Sequence, residues 1–257
     1  MKNSLKKENS KKENLPELSL VESGETYHYP GDELSLFQHA TNWKSYFARL
    51  IKPYLSGDIL EVGAGCGGTT PLLFNENVQS WTCLEPDLAL FKILNSSISQ
   101  FEGQQKIKTI NYGLDGLETD KKYDVILYID VLEHIEDDKS EMQKAFAKLN
   151  DGGHIIILSP AHNLLFSPFD EQVGHYRRYN RSSLQSAIPD QTHQVCLNYL
   201  DSVGFFASLA NKILLKQSNP SASQIKVWDS YLVPLSKIFD QLLAYQFGKS
   251  ILGIWSK

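Results

Sequence analysis

Apolar positions along this chain fall into two kinds of run. Short unbroken ones are Ile59, Leu60 and Val62, then Ser80–Leu84, Tyr123–Tyr128 and His154–Leu158. They have the length of strands, and the fourth-strand run suits burial on both faces of a parallel sheet. Weaker strand signals lie at Lys106–Asn111, Gln194–Leu200 and Ser250–Trp255. Between them the apolar residues recur at helical spacing: Leu34, Phe37, Trp43, Phe47, Leu50 and Ile51 form a first stripe. Residues 88–101, 138–149 and 205–216 read as helices. A last stripe runs from Trp228 and Tyr231 through Leu235, Ile238 and Phe239 to Leu242, with Pro234 expected to bend or break it. Strands alternating with helices predict an α/β fold. The last stripe is expected to be core, or else to face an apolar ligand or a membrane surface beside Lys212, Lys216 and Lys226.

The chain's most informative stretch is GDILEVGAGCGGTT, residues 57–70. A strand that runs into Gly63, Gly65, Gly67 and Gly68 and then into a helix gives a tight turn. Its bare backbone can approach a ligand closely, next to the N–H groups of a helix start. Gly63, Gly65 and Gly68 satisfy the G-x-G-x-x-G spacing of dinucleotide sites. Glu61, two residues earlier, would repel a pyrophosphate and suits a ligand with an ammonium group instead. Glu85 follows Glu61 by 24 positions, close to the interval at which a carboxylate at a strand end meets ribose hydroxyls. It serves a nicotinamide dinucleotide equally well, and its competing role is a carboxylate at a helix N-terminus.

E-V-G-A-G-C-G resembles the first motif of the class I S-adenosylmethionine-dependent methyltransferases, whose cofactor carries such an ammonium. A second match lies downstream: Tyr123-Asp124-Val125-Ile126 leads into Asp130-Val131-Leu132-Glu133-His134, similar to the D-V-L-E-H of small-molecule members. Gly152-Gly153 before the fifth strand and Ser159-Pro160 after it also fit. The resemblance covers roughly residues 34–257. It implies a Rossmann-like sheet of seven strands, mostly parallel with an antiparallel last strand, and helices on both faces. It also implies an N-terminal helical cap over residues 23–55, a cofactor core over 56–200, a helical insertion over 201–249 and the last strand at 250–257. Cofactor contacts are then expected from Glu61, Gly63, Ala64, Gly65, Gly67, Glu85, Pro86, Gly113, Leu114, Ile129 and Asp130. S-adenosylhomocysteine is the implied product. Asp130 and His134 would lie beside the transferred methyl, His134 acting there or only orienting its own loop.

Composition narrows the partners. Net charge is −5, yet five lysines against two glutamates make the first fourteen residues basic, and residues 1–22 read as a disordered tail. Nothing in this balance favours nucleic acid. Three scattered cysteines form no C-x-x-C, the N-terminus has no apolar signal core, and no apolar run reaches the ~18 residues of a membrane span. A cytoplasmic protein is expected, without a metal, since no ligand spacing is evident.

Acceptor chemistry is expected from Asp170-Glu171-Gln172-Val173-Gly174-His175-Tyr176-Arg177-Arg178-Tyr179. This loop resembles one in a bacterial group of methyltransferases, some associated with glycosyltransferases. His175 is the candidate base, since an imidazole titrates near working pH. Arg177 or Arg178 could clamp an anionic group, and Tyr27, Tyr29 and Tyr179 are further acceptor contacts; alternatively the arginines only pair with Asp170 and Glu171. The expected acceptor is a small molecule, anionic or lipid-linked, with peripheral membrane contact open. A nicotinamide oxidoreductase and a non-catalytic adenosyl-binding protein are the competing readings.

Overall fold

The computed structural model describes residues 28–31, 37–117, 120–212 and 221–257. The expected basic tail, Tyr27 and the far end of the 205–216 segment lie outside them.

A seven-stranded sheet forms the centre, in the order β3-β2-β1-β4-β5-β7-β6. Its strands are β1 (Gly57–Val62), β2 (Val78–Leu84), β3 (Ile107–Ile110), β4 (Tyr123–Ile129), β5 (Leu149–Pro160), β6 (His193–Leu200) and β7 (Ser250–Ser256). Pairing from β3 across to β5 is parallel, and β7 runs antiparallel between β5 and β6. The expected fold is therefore observed. Chain order reverses between β1 and β4, and at such a switch point the carboxyl ends of the strands open a crevice.

The period-two alternation of strand side chains divides the core. Ile59, Trp81, Cys83, Leu127 and Ile156 pack on one face with Trp43, Phe47 and Ile51 of helix α1 (Thr41–Ile51). Leu60, Leu84, Ile126, Tyr128 and Ile157 pack on the other, against Met142 and Ala145 of α4 (Asp138–Ala147) and Leu184 of α6 (Arg181–Ala187). The connecting helices are the single-turn α2 (Thr70–Leu73), α3 (Leu88–Ser99) and α5 (Pro168–Gln172). Asp87 caps α3 by accepting from the Leu90 N–H at 2.8 Å.

The insertion between β6 and β7 holds α7 (Ser202–Ala210), α8 (Ala222–Val227), a π-helical turn at Trp228–Leu232 and α9 (Val233–Leu242). The π turn stands immediately before Pro234, whose missing N–H cannot continue the regular ladder. Polarity here is the reverse of what periodicity predicts. Asp229, Ser236 and Asp240 are buried, whereas Tyr231, Leu235, Ile238, Phe239 and Leu242 are exposed. The inward aspartates bind backbone. Asp229 accepts from the Asn42 and Trp43 N–H groups at the start of α1, and Asp240 accepts from Asp201 N, Ser202 N and the Tyr46 hydroxyl. Those hydrogen bonds satisfy orphan helix donors and join the insertion to the cap.

Candidate active site

One cavity of about 1700 Å³ opens over the carboxyl edge of the sheet, and both ends of the expected chemistry line it. Its first end is the glycine loop after β1. Gly63 has φ of +66°, and a Cβ there would meet the Val131 side chain at 2.6 Å, so only glycine fits. Gly63, Ala64 and Gly65 reach the cavity wall, as do Glu85, Pro86, Gly113, Leu114, Ile129 and Asp130.

Glu85 stands just after β2 and is buried. Its Oε2 accepts from the Gly65 N–H at 2.8 Å and its Oε1 from the Asp87 N–H at 2.9 Å. Burial raises its pKa, and those two donors work against the rise. Each oxygen keeps one lone pair for a further donor. Helix capping, the competing role for Glu85, belongs to Asp87.

Two residues of the expected cofactor set do not reach the cavity. Glu61 is buried: Oε1 accepts from Thr69 Oγ1 at 2.6 Å, and Oε2 accepts from Thr70 Oγ1 at 2.6 Å and Trp81 Nε1 at 2.9 Å. Its carboxylate thus ties the far side of the glycine loop to β2, and the expected pairing with a ligand ammonium is not its geometry. Gly67, at φ +76°, sits against α3, where a Cβ would press on Leu94 at 2.9 Å. Its role is the close approach of loop and helix.

At the second end, β4 is followed by Asp130, whose φ of +53° is unusual for a residue with a side chain and best tolerated by Asp or Asn. A short 3₁₀ turn, Leu132–His134, follows. The Glu133 carboxylate points inward, its Oε2 accepting from Ser159 Oγ at 2.8 Å, while the buried Oε1 has no hydrogen-bond partner. Burial, then the nearby Asp130 charge, drives the Glu133 pKa well up. His134 has a buried Nδ1 with no hydrogen-bond partner, and burial followed by the charge of His175 takes its pKa down to about 4. Its ring meets Tyr29 edge-on at 5.4 Å and His175 at 4.6 Å between centroids.

The polar loop supplies the facing wall. Ser167 and Asp170 form a capping box at the start of α5, and the fully buried Asp170 accepts from His175 Nδ1 at 2.8 Å. Arg178 grips Asp170 through Nε at 2.7 Å and Nη2 at 3.1 Å. Burial alone would raise the Asp170 pKa, but the His175 and Arg178 hydrogen bonds outweigh it and hold the carboxyl well below its ordinary value. The ionised Asp170 holds a proton on Nδ1 of His175 and so turns Nε2 toward Glu133. That Nε2 lies 4.0 Å from Glu133 Oε1.

Tyr29, His175 and Arg178 of the expected acceptor set line the cavity, and Arg177 and Tyr179 do not. Arg177 pairs with Asp138 at 2.8 Å and donates to the Ile135 and Glu136 carbonyls, and Tyr179 donates to Asp138 at 2.7 Å from a fully buried position. Both pin the loop to the 132–138 segment instead of facing an acceptor. Arg178 reaches the cavity wall while its Nε and Nη2 are held by Asp170, the pairing that the loop's composition also allowed.

Sequence reading missed three contributors. Glu133 was visible only as a motif letter. Lys44 and Lys249 line the cavity, each with its pKa lowered by burial, and Lys249 Nζ lies 4.7 Å over the Trp228 ring. Nothing near either lysine in sequence marks it. Among the described residues, Glu133, His134 and His175 also bring one ligand atom each within 4.8 Å of one another, a grouping that the sequence spacing did not show. His175 follows His134 by 41 positions, which hides the group from any spacing rule.

Comparison with known proteins defines the class. Residues 37–203, more than half of the chain, match the family described as a methyltransferase domain, and the chain belongs to that family. A tRNA U34 carboxymethyltransferase of Nautilia profundicola is 33% identical over 126 residues, which span 46% of this chain and 40% of that protein. The chain thus matches less than half the length of this curated relative. Among solved structures, a SAM-dependent methyltransferase from Archaeoglobus fulgidus superposes with a TM-score of 0.57 at 17% identity, covering 88% of this chain and 97% of its own. Coclaurine N-methyltransferase, bound to N-methylheliamine and S-adenosylhomocysteine, gives 0.57 at 12% identity, over 85% and 72%. These two likenesses speak for the fold.

Proposed function

We propose that this protein binds S-adenosylmethionine at the β1–β4 end of the cavity and passes its methyl to a nucleophile on a small-molecule acceptor at the His134–His175 end. The observation that carries this reading is the continuity of the cavity from Gly63–Gly65 and Glu85 to Asp130, His134 and His175. The residues suit the cofactor. Gly63 and Gly65 bring bare backbone to the cavity wall, Glu85 offers its remaining lone pairs to hydroxyl donors, and Pro86, Leu114 and Ile129 supply apolar walls for a flat ring. When bound, the cofactor supplies a methyl already activated on a cationic sulfur. What remains for the chain is to align the acceptor and manage its proton.

Apolar walls at the acceptor end, among them Phe37, Trp43, Phe166, Phe169 and Trp228, favour a ring- or chain-bearing acceptor over a polynucleotide. Family membership weighs against the nicotinamide alternative. Asp170 and Arg178 hold His175 so that its Nε2 lone pair meets the acceptor's nucleophile. No helix among the described residues is long and apolar enough to cross a membrane.

Calorimetric titration tests the cofactor half. S-adenosylmethionine and S-adenosylhomocysteine are expected to bind at micromolar concentration and NAD not at all. Binding of NAD alone would overturn the reading. Incubation of a cell extract with methyl-labelled cofactor, with and without the protein, then finds the acceptor as the product that gains label.

A further inference from the structure

We propose that Glu133, His134 and His175 form a binding site for a divalent transition-metal ion at the acceptor end of the cavity. Three observations meet there. The three side chains place one ligand atom each within 4.8 Å of one another. Glu133 is fully buried and its Oε1 has no hydrogen-bond partner, although its other oxygen is bonded to Ser159. A buried carboxylate oxygen without a donor costs about 1–3 kcal/mol, which a cation would remove. Finally, His175 is held as metal-binding histidines are held, its Nδ1 donating to a carboxylate at 2.8 Å so that Nε2 presents a lone pair. That Nε2 faces Glu133 Oε1 at 4.0 Å.

Ligand type selects the ion. Two imidazoles and one carboxylate suit zinc, manganese, cobalt or iron in the divalent state, and suit magnesium or calcium poorly. Bonds of about 2.1 Å put tetrahedral ligand atoms about 3.4 Å apart, so binding draws the cluster in by roughly an ångström. Three protein ligands leave coordination positions open toward the cavity.

What the ion does rests on the methyl-transfer reading; that it binds does not. Facing the acceptor, it acts as a Lewis acid on a hydroxyl. The O–H bond breaks, the proton passes to water, and the electron pair stays on oxygen as the nucleophile. His175 then serves as a ligand and not as the base.

The test uses untagged full-length protein, stripped with a chelator and titrated with Co²⁺ and Zn²⁺. Cobalt visible absorption, calorimetry and metal analysis are the readouts, with S-adenosylhomocysteine affinity measured in parallel. One ion per chain is expected, with equimolar Mg²⁺ failing to displace cobalt. Affinity should fall at least ~10-fold in Glu133→Gln and in His134→Ala, and ~10-fold in Asp170→Asn, where only the support of a ligand is lost. Absence of saturable binding, or saturation unchanged in both ligand variants, overturns the site. Loss of metal with S-adenosylhomocysteine binding intact in Glu133→Gln shows that the fold survives and supports the assignment. Metal binding without S-adenosylhomocysteine binding upholds the site while removing the methyl-transfer reading.

Discussion

The two ends of the cavity are built by different means. At the cofactor end, the groups are mostly backbone and lie close together in the chain: the turn at Gly63–Gly65, and Glu85, which binds that turn directly. At the acceptor end the groups are side chains brought from distant segments, with Tyr29 and His134 packed together and Asp170, His175 and Arg178 facing Glu133. A backbone site depends on glycine conformations and tolerates variation in the side chains around it. A side-chain site depends on a few buried charges, each held by its neighbours.

Substitutions should separate the two. The largest effect is expected for Gly63→Val, which adds a clash with Val131 to an unfavourable positive φ. The two penalties together are about 3 kcal/mol, expected as lost stability in denaturant unfolding. At the other end, Asp170→Ala leaves Arg178 and His175 without their buried partner and should cost about 3 kcal/mol in denaturant unfolding. The folded-state pKa of Asp170 is depressed, so its contribution is fully present above the unfolded value near ~3.9 and is lost as pH falls toward the folded pKa. The stability gap between wild type and variant should therefore be constant above about pH 5 and should narrow in more acidic solution.

Intermediate is Glu85→Ala. It strips the Gly65 and Asp87 N–H groups of their acceptor, and cofactor affinity should drop ~10-fold with little change in acceptor KM. Arg177→Ala removes a partly exposed pair with Asp138, and about 1 kcal/mol of stability is expected to go while the acceptor KM holds. The smallest effect, within about 0.5 kcal/mol, is expected for Leu242→Ser on the outward face of α9, where the side chain is 74% exposed. A clear destabilisation there would show that this apolar face is covered in solution.

The same contrast explains what the sequence made legible. Strand positions, the turn after β1 and Glu85 could be read because their signals are local: apolar runs, glycines in series, and a carboxylate at a set interval. Glu61 was noticed, but its partner was misjudged, because Thr69, Thr70 and Trp81 reach the carboxylate before a ligand can. No spacing rule contains that rotamer. Arg177 and Arg178 read alike as adjacent letters, yet one points to Asp138 and the other to Asp170. In the insertion, the apolar stripe says nothing of Asp229 and Asp240, which face inward to bind backbone N–H groups from segments more than 35 positions away. Helical periodicity assumes that burial follows apolarity, and a buried capping aspartate breaks that assumption.

The central claim is that the turn at Gly63–Gly65 and Glu85 form one end of a continuous cavity, occupied by the cofactor, with the acceptor chemistry at the other. A crystal structure of the protein with S-adenosylhomocysteine tests it most directly. The account predicts ribose hydroxyls on Glu85, adenine between Pro86 and Leu114, and the sulfur directed toward Asp130 and His134. Adenosyl density elsewhere, or a ligand whose sulfur points away from His134 and His175, would contradict it.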